Sequence, residues 1–459
     1  MTDGADTQRG AQAKEVAESL RNQGVAAIAL GFVDPSAIVR VKCVPLARFP
    51  HAVTTGVGLS TLFNAAMSND HFALHPGYID GPSGDLRLRA DPAATVAMAA
   101  MPGWAWAPID QYTKEGEPFA ACPRGFLQRT VSRLDALGLR AAAAYEFEFS
   151  VGTAGGEDGF EPAHQGPGYS DIALVANQEF ALDLIQTIEA QGLDLQQFHP
   201  EYAEGQFELS IAPRDPVAAA DVAILVRETV RAVAKRHGWK VSFAPRVLSD
   251  TGNGTHLHIS LWDGDRNLLA GGEGPAGMEQ RAGSFMAGIL QELPALVAVT
   301  APSCVSYLRL QPQHWSGAMR CWGTENREAA LRFIAGPTAA SAGSANMEIK
   351  PVDGTANAYL ALGAVLAAGI AGLEAGDRLP PSTEEDPLLL SAEEQEARGI
   401  RQLPASLPAA ADELAGSSVL REAMGDFLFE VFLATRRGEA EQYEGFDDDR
   451  LIRALRWRY

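Results

Sequence analysis

Four short segments of this chain alternate polar and apolar residues, and all four place carboxylates, imidazoles or amides where a surface strand would carry mixed solvated charge. In AYEFEFSV, Tyr145, Phe147 and Phe149 fall on one face of a strand and Glu146 and Glu148 on the other, since residues two apart share a face. GQFELSI sets Phe207, Leu209 and Ile211 against Gln206, Glu208 and Ser210. THLHISLW sets Leu257, Ile259 and Leu261 against His256, His258 and Ser260, and NMEIKP sets Met347 and Ile349 against Asn346, Glu348 and Lys350. Each alone reads as an amphipathic strand with one face in water. Taken together they admit a second reading, because like charges framed by aromatics repel one another and are most readily held by cations. Oxygen donors with an imidazole suit Mg²⁺ or Mn²⁺ better than zinc. Two such ions side by side serve in-line phosphoryl transfer. On pattern alone both readings stand.

Composition narrows the classes. The 459 residues are 46% hydrophobic, ample for a buried core. Net charge is −21, which argues against a phosphate-backbone binder and so against a nucleic-acid partner. Cys43, Cys122, Cys304 and Cys321 form no CxxC pair and read as reduced thiols of a cytoplasmic protein. The polar N-terminus has no apolar core of a signal peptide. The alanine-rich stretch from Ala356 to Gly372 is too short to span a bilayer, so no membrane association is expected.

Residues 1–13 read as a disordered leader, 14–115 as a small α/β domain and 116–459 as a larger second domain. Ala13 to Asn22 is expected to be helical, and Ala27–Asp34 and Ile38–Leu46 to be strands. Further helices are expected over Cys122–Gly138, Asp215–Gly238, Glu279–Leu296 and Ala356–Glu374. Loops are expected at Gly152–Gly168, Asp263–Gly277 and Asp377–Gly399. A Gly/Trp-rich stretch carries Arg309, Arg327 and Arg332. Its ENREAALR segment reads either as a helix with surface charge pairs or as part of a cationic clamp, since guanidinium forks match phosphate and carboxylate.

These pieces, in this order, resemble the glutamine synthetase family. YEFEF resembles its first metal motif, HPEYAEGQFEL the segment with two more metal glutamates, and GNGTHLHISLW the ATP and metal histidine motif. SYLRL, ENREAALR and the Glu348 strand followed by DGTANAYLALGAVLAAG complete the set. The resemblance implies an α+β fold: a β-grasp N-terminal domain, then a catalytic domain whose antiparallel sheet forms half a barrel flanked by helices. It implies ATP, L-glutamate and an amine as substrates and two metal ions per site. It also implies a homo-oligomer, a dodecamer of stacked hexameric rings whose sites are shared between subunits.

Roles follow by matching motif positions. Glu148, Glu201 and Glu208 are implied ligands of the metal nearer glutamate, and Glu146, His256 and Glu348 of the metal bridging the ATP phosphates. Arg327 and Arg332 are implied to grip the transferred phosphoryl group and the ATP tail. His258 and Ser260 line the nucleotide, and Gly252 and Arg309 orient glutamate. Arg246 stands where many members have a lysine before a proline. The reaction the family runs is a phosphorylation of the γ-carboxylate, which creates a leaving group that an amine displaces.

The chain departs from that pattern where ammonium would bind. Trp315 stands six residues after Arg309, where glutamine-forming members have a glutamate. GVGLSTLF, with Ser60 and Phe63, has no acid where they have an aspartate. Lys350 and Asn346 replace arginines on either side of Glu348, and Lys350 is taken as a glutamate-binding residue. No tyrosine lies between Tyr359 and Tyr443, so the adenylylation site of some bacterial members is absent. A tryptophan cannot act as a base but packs against carbon and offers a π face to a cation. The expectation is therefore a γ-glutamylamide ligase using an alkyl- or arylamine, in amine catabolism, with a monoamine preferred over a polyamine. The alternatives are a true glutamine synthetase using ammonia, or a non-catalytic scaffold of the same family.

Overall fold

The computed structural model describes residues 2–155, 159–248, 252–336 and 343–459. The chain opens with α1 (Thr2–Asn22), so the expected disordered leader is corrected: residues 2–13 are the first turns of a longer helix. Ala13, Ala17 and Leu20 are buried at helical spacing, and Arg9 Nη2 donates to the Ala90 carbonyl at 3.1 Å, which ties the early turns down. Met1 lies outside the described residues.

Six strands follow: β1 (Ala27–Val33), β2 (Val39–Pro45), β3 (Val57–Ser60), β4 (Asp85–Ala90), β5 (Val96–Ala97) and β6 (Trp104–Tyr112). They form one sheet in the order β2-β1-β6-β4-β3, with β5 on β6, and only β1 and β6 run parallel. α1 and α2 (Phe49–Thr54) bury Leu20, Phe49 and Val53 with Ile28, Leu30 and Leu88 in a core of this unit's own.

A ten-stranded sheet forms the larger unit. Its strands are β7 (Arg140–Thr153), β8 (Glu161–Pro162), β9 (Leu195–Pro200), β10 (Gln206–Ile211), β11 (Lys240–Ser242), β12 (Leu257–Asp263), β13 (Arg266–Asn267), β14 (Met319–Thr324), β15 (Ala329–Ile334) and β16 (Asn346–Ile349). The path is β14-β15-β16-β12-β7-β10-β9, antiparallel throughout except between β14 and β15. The helices are α3 (Pro123–Ala136), α4 (Asp171–Ala176), α5 (Gln178–Ala190), α6 (Pro216–Arg236), α7 (Gln280–Thr300), α8 (Ser306–Arg309) and α9 (Ala358–Ala375). After them come α10 (Ala392–Ala397), α11 (Leu407–Gly416), α12 (Ser418–Met424), α13 (Asp426–Gln442) and α14 (Asp448–Leu455).

Local chemistry sets the ends of these helices. Asp215 caps α6 by accepting from the Val217 N–H, ahead of Pro216 at the first helical position. Asn357 caps α9 through the N–H groups of Tyr359 and Leu360, and Gly376 ends it in the left-handed conformation (φ 67°). α7 and α9 are long and apolar enough to cross a membrane, which corrects the expectation that the alanine-rich stretch is too short, since its helix runs on to Ala375; both lie largely buried against one another and the rest of the core. Gly288 and Gly372 let them meet, since a Cβ on Gly288 would stand 2.3 Å from the Ala368 carbonyl oxygen.

The helical reading of ENREAALR does not hold. The chain turns through 325–328 and enters β15, because Ala329, Ala330 and Leu331 are fully buried in the sheet and Arg332 registers against Glu348. Helix-forming composition yields here to tertiary pairing. The expected loop at Asp377–Gly399 contains α10, started by a reciprocal cap between Ser391 and Glu394. Of the Gly152–Gly168 loop, 156–158 lie outside the described residues.

Candidate active site

Strand register builds the site. Glu208 on β10 stands directly opposite Glu148 on β7, and Ser210 opposite Glu146. On the other side of β7, His258 on β12 registers with Glu348 on β16, and Glu348 with Arg332 on β15. The aromatic faces of β7 and β10 are buried, so their carboxylates project to the opposite side of the sheet.

These side chains converge. His256 Nδ1 lies 3.2 Å from Glu146 Oε1 and 3.1 Å from Glu348 Oε1, and its Nε2 lies 3.7 Å from Glu148 Oε1. His258 Nε2 is 3.3 Å from Glu146 Oε2, while its Nδ1 meets Asn346 Oδ1 at 2.9 Å. Among the described residues, three sets of donor atoms gather within 4.8 Å: Glu146, His258 and Glu348; Glu146, Glu148 and His256; His199, Glu201 and Glu208. All six metal-ligand candidates thus come together, with His258 and His199 joining them. The grouping differs in detail from the implied pair of triads, since Glu201 and Glu208 collect around His199.

The charges show strain relieved in one half and retained in the other. Burial alone would raise Glu146, but hydrogen bonds and charge from His256 and His258 hold it well below the usual carboxylate range. Glu348 is likewise held low, burial being outweighed by the Lys350 ammonium and the two histidines. Burial works against charge on His258, yet Glu146 and Glu348 raise it to about 8. Glu201 is pushed up to about 7 by burial and the Glu148 charge, against hydrogen bonds from the Tyr169 hydroxyl and the Tyr202 N–H. Glu208 is raised further by burial and by the charges of Glu146, Glu148 and Glu201. Such a cluster of hard oxygen donors and imidazoles, short of positive charge around Glu201 and Glu208, fits divalent cations of the Mg²⁺ kind.

The remaining candidates divide. Arg309 Nη2 sits 2.9 Å from His256 Nε2, inside the cluster. Arg332 bridges Glu348 at 3.2 Å and Glu325 at 2.5 Å, and Lys350 Nζ donates to Glu348 at 3.1 Å. Gly252 gives its carbonyl to Gln206 Nε2 at 2.7 Å, and Ser260 accepts from Trp262 Nε1 at 2.8 Å. Arg246 donates to the Leu308 carbonyl, beside Arg309. Arg327 is exposed, and its guanidinium lies 5.9 Å from the ring of Trp315, itself 60% exposed. Ser60 caps a short turn at Leu62, and Phe63 packs edge-on to Phe72 within the N-terminal unit.

Besides His199, four residues escape sequence reading. Tyr169 reaches Glu201 from a loop and stacks on His199 at 5.3 Å. Gln206 Nε2 ties Glu148 to Gly252 and Asn253. Gly254 donates its N–H to Glu148 at 2.8 Å, and a Cβ there would stand 2.6 Å from both Arg309 Nη2 and His256 Nε2. Glu328 is buried under the Trp315 loop. Only Gln206 and Gly254 left a local signal, as polar and small residues inside motif strands and turns.

Comparison with known proteins agrees with this geometry. The profile of the glutamine synthetase catalytic domain matches residues 120–450. The chain belongs to the glutamine synthetase family. It is 46% identical over 451 residues to a γ-glutamylpolyamine synthetase of Streptomyces coelicolor, covering 98% of this chain and 97% of that one. It is 31% identical to a glutamine synthetase of Halobacterium salinarum, over 94% and 93% of the two chains. A solved glutamine synthase homolog superposes with a TM-score of 0.84 at 33% identity, covering 95% of this chain and 99% of that one. The α+β glutamine synthetase fold expected from the motifs is the fold observed, and the chain is a carbon–nitrogen ligase of this family.

Proposed function

We propose that this glutamine synthetase family member transfers the γ-phosphoryl group of ATP to the γ-carboxylate of L-glutamate and couples the activated acyl group to an organic amine. The products are a γ-glutamylamide, ADP and phosphate. The observation that carries the reading is Trp315: the sixth residue after Arg309 is an exposed indole, not an acid that would attract ammonium and take its proton. The relative named a γ-glutamylpolyamine synthetase supports amide formation with an organic amine.

The side chains divide the work. Arg327 and Arg332 would grip the phosphoryl group in transfer, Arg309 and Lys350 the carboxylates of glutamate, and Gly252 its α-amino end. His258 and Ser260 would line the nucleotide. Two divalent cations held by Glu146, Glu148, Glu201, Glu208, His256 and Glu348 would neutralise phosphoryl oxygens and polarise the bond that breaks. Ser60 and Phe63 make their contacts in the N-terminal unit, so a share in the amine pocket fits an assembly in which one subunit lends them to another. A ring-shaped homo-oligomer, tested by native mass, agrees with the exposed Ile172, Val175 and Leu182 on α4 and α5. The four free thiols suit a cytoplasmic setting, and amine catabolism is the role such a product would serve.

Two amine classes compete. The indole and the acid-free GVGLSTLF segment favour an apolar alkyl- or arylamine, whereas the 46% relative favours a polyamine. Phosphate release with ATP, glutamate and Mg²⁺ across methylamine, isopropylamine, ethanolamine, aniline, putrescine, spermine and ammonia separates them. A γ-glutamyl product with one organic amine supports the proposal, and turnover of ammonia alone makes the chain a glutamine synthetase in activity. Trp315→Glu should weaken use of the preferred organic amine by about tenfold or more and raise any ammonia use. An unchanged amine preference would remove Trp315 from the pocket.

A further inference from the structure

Glu328 has an arrangement that the reaction chemistry does not require. It is buried (8% exposed) at the turn before β15, and no ion pair to it occurs among the described residues. Its carboxylate is taken up by backbone instead. One oxygen accepts from the Gln313 N–H at 3.1 Å and the other from the Trp315 N–H at 2.9 Å. Both donors belong to residues in the left-handed conformation, Gln313 at φ 64° and Trp315 at φ 52°. Non-glycine residues adopt that region against steric resistance and keep it only where the surroundings enforce it.

The surroundings here are a short relay. The Glu328 N–H donates to Asn326 Oδ1 at 3.0 Å, and Asn326 Nδ2 donates in turn to the carbonyls of Thr383 at 2.7 Å and Glu385 at 3.0 Å. The carboxylate is thereby anchored to the body of the domain, while the loop above it carries Trp315 with its indole 5.9 Å from the Arg327 guanidinium. The next residue along the chain after that arginine is Glu328 itself. One turn therefore fixes both partners of the stacked pair.

We propose that Glu328 is a positioning residue for amine selection: its carboxylate locks Gln313 and Trp315 in the left-handed conformation that sets the Trp315 indole over Arg327. This rests on the reading that Trp315 lines the amine pocket. A glutamine cannot replace the carboxylate, because one end of its amide would present N–H groups to a backbone N–H. An aspartate keeps the charge but falls short by one methylene.

The test uses the full-length enzyme and Glu328→Gln and Glu328→Asp variants, each first shown to melt cooperatively. Hydrogen–deuterium exchange at the Gln313 and Trp315 amides should quicken in Glu328→Gln. The KM for the preferred amine should rise by about tenfold or more, with kcat and the KM for glutamate changing far less. Glu328→Asp should fall between. Unchanged exchange overturns the clamp, and quicker exchange with an unchanged amine KM overturns its role in selection. An unmutated enzyme that uses ammonia alone overturns the amine reading beneath the proposal, and the substrate panel on that enzyme reveals it before any variant is made.

Discussion

Glu208 faces Glu148 across two strands, and burial with three neighbouring carboxylate charges keeps its proton on well above the ordinary range. An acid whose folded pKa exceeds its unfolded one stabilises the fold fully only below the unfolded value, and that stability is lost as pH rises through the folded value. At neutral pH the metal-free fold therefore carries a penalty here. Glu208→Gln should remove it: without metal, the variant should melt higher at pH 7 by roughly 1 kcal/mol or more, with the gain vanishing near pH ~4.5. Turnover should fall by more than the roughly 10–100-fold typical of outer-shell metal partners. Glu201, raised to about 7 by burial and then by Glu148, gives a second check. A divalent cation held by Glu201, as proposed, would displace that proton, so its affinity and the thermal stabilisation it confers should grow as pH climbs through about 7. Glu146 and Glu348, held low, act in the opposite sense, stabilising the fold above the carboxylate range and failing only in stronger acid. Thermal melts with and without Mg²⁺ over a pH series read all of these.

The inward polarity of β7, β10, β12 and β16 is legible in the sequence because a strand's period of two is a local property. Their mutual register, which brings Glu208 opposite Glu148 and His258 opposite Glu348, is not local, and only the motif order hinted at it. Tyr169, His199 and Glu328 stay hidden for a related reason: each acts from a loop, an edge strand or a turn, where no period marks the residue it meets. ENREAALR shows the limit in reverse, since its helix-favouring residues pair as a strand once Ala329 to Leu331 are buried. Small residues are the least legible of all. Gly288 and Gly372 look like ordinary members of an apolar run, yet they set the closest approach of α7 and α9. Gly288→Ala should force those helices apart and cost about 1–3 kcal/mol, read as a lower urea midpoint at unchanged slope. A midpoint equal to that of the unmutated chain would show that the helices have room to spare.

Across the whole molecule the N-terminal sheet is joined to helices of the larger unit by buried charge. Arg124 on α3 reaches Asp221 on α6 and Asp110 on β6 at 2.9 Å each, and Asp91 at 2.8 Å. Asn357, while capping α9, also donates to the carbonyls of Val33 and Asp34 at the end of β1. Removing one member of a buried ionic group leaves the others uncompensated, so Arg124→Gln should destabilise the chain by about 3–5 kcal/mol. Calorimetry should show it as separation of one unfolding transition into two, the N-terminal unit melting first; a single unshifted transition would mean that the junction is held elsewhere.

The cover over α7 and α9 has an implication for how the chain is made. Every candidate catalytic and binding residue has been added to the chain once Lys350 is synthesised. The helices that shield the central apolar pair, α11 against α7 and α12 against α9, are translated only after residue 406. Before those two helices are made, the nascent polypeptide holds two segments apolar enough to be mistaken for membrane spans, covered by each other and by α3 and α6 but lacking the cover of α11 and α12. A message truncated in that interval would encode every candidate site residue and leave part of α7 and α9 uncovered, a surface prone to aggregation. Residues 407–424, which follow every candidate site residue in the chain, thus govern how far the apolar pair is shielded from aggregation.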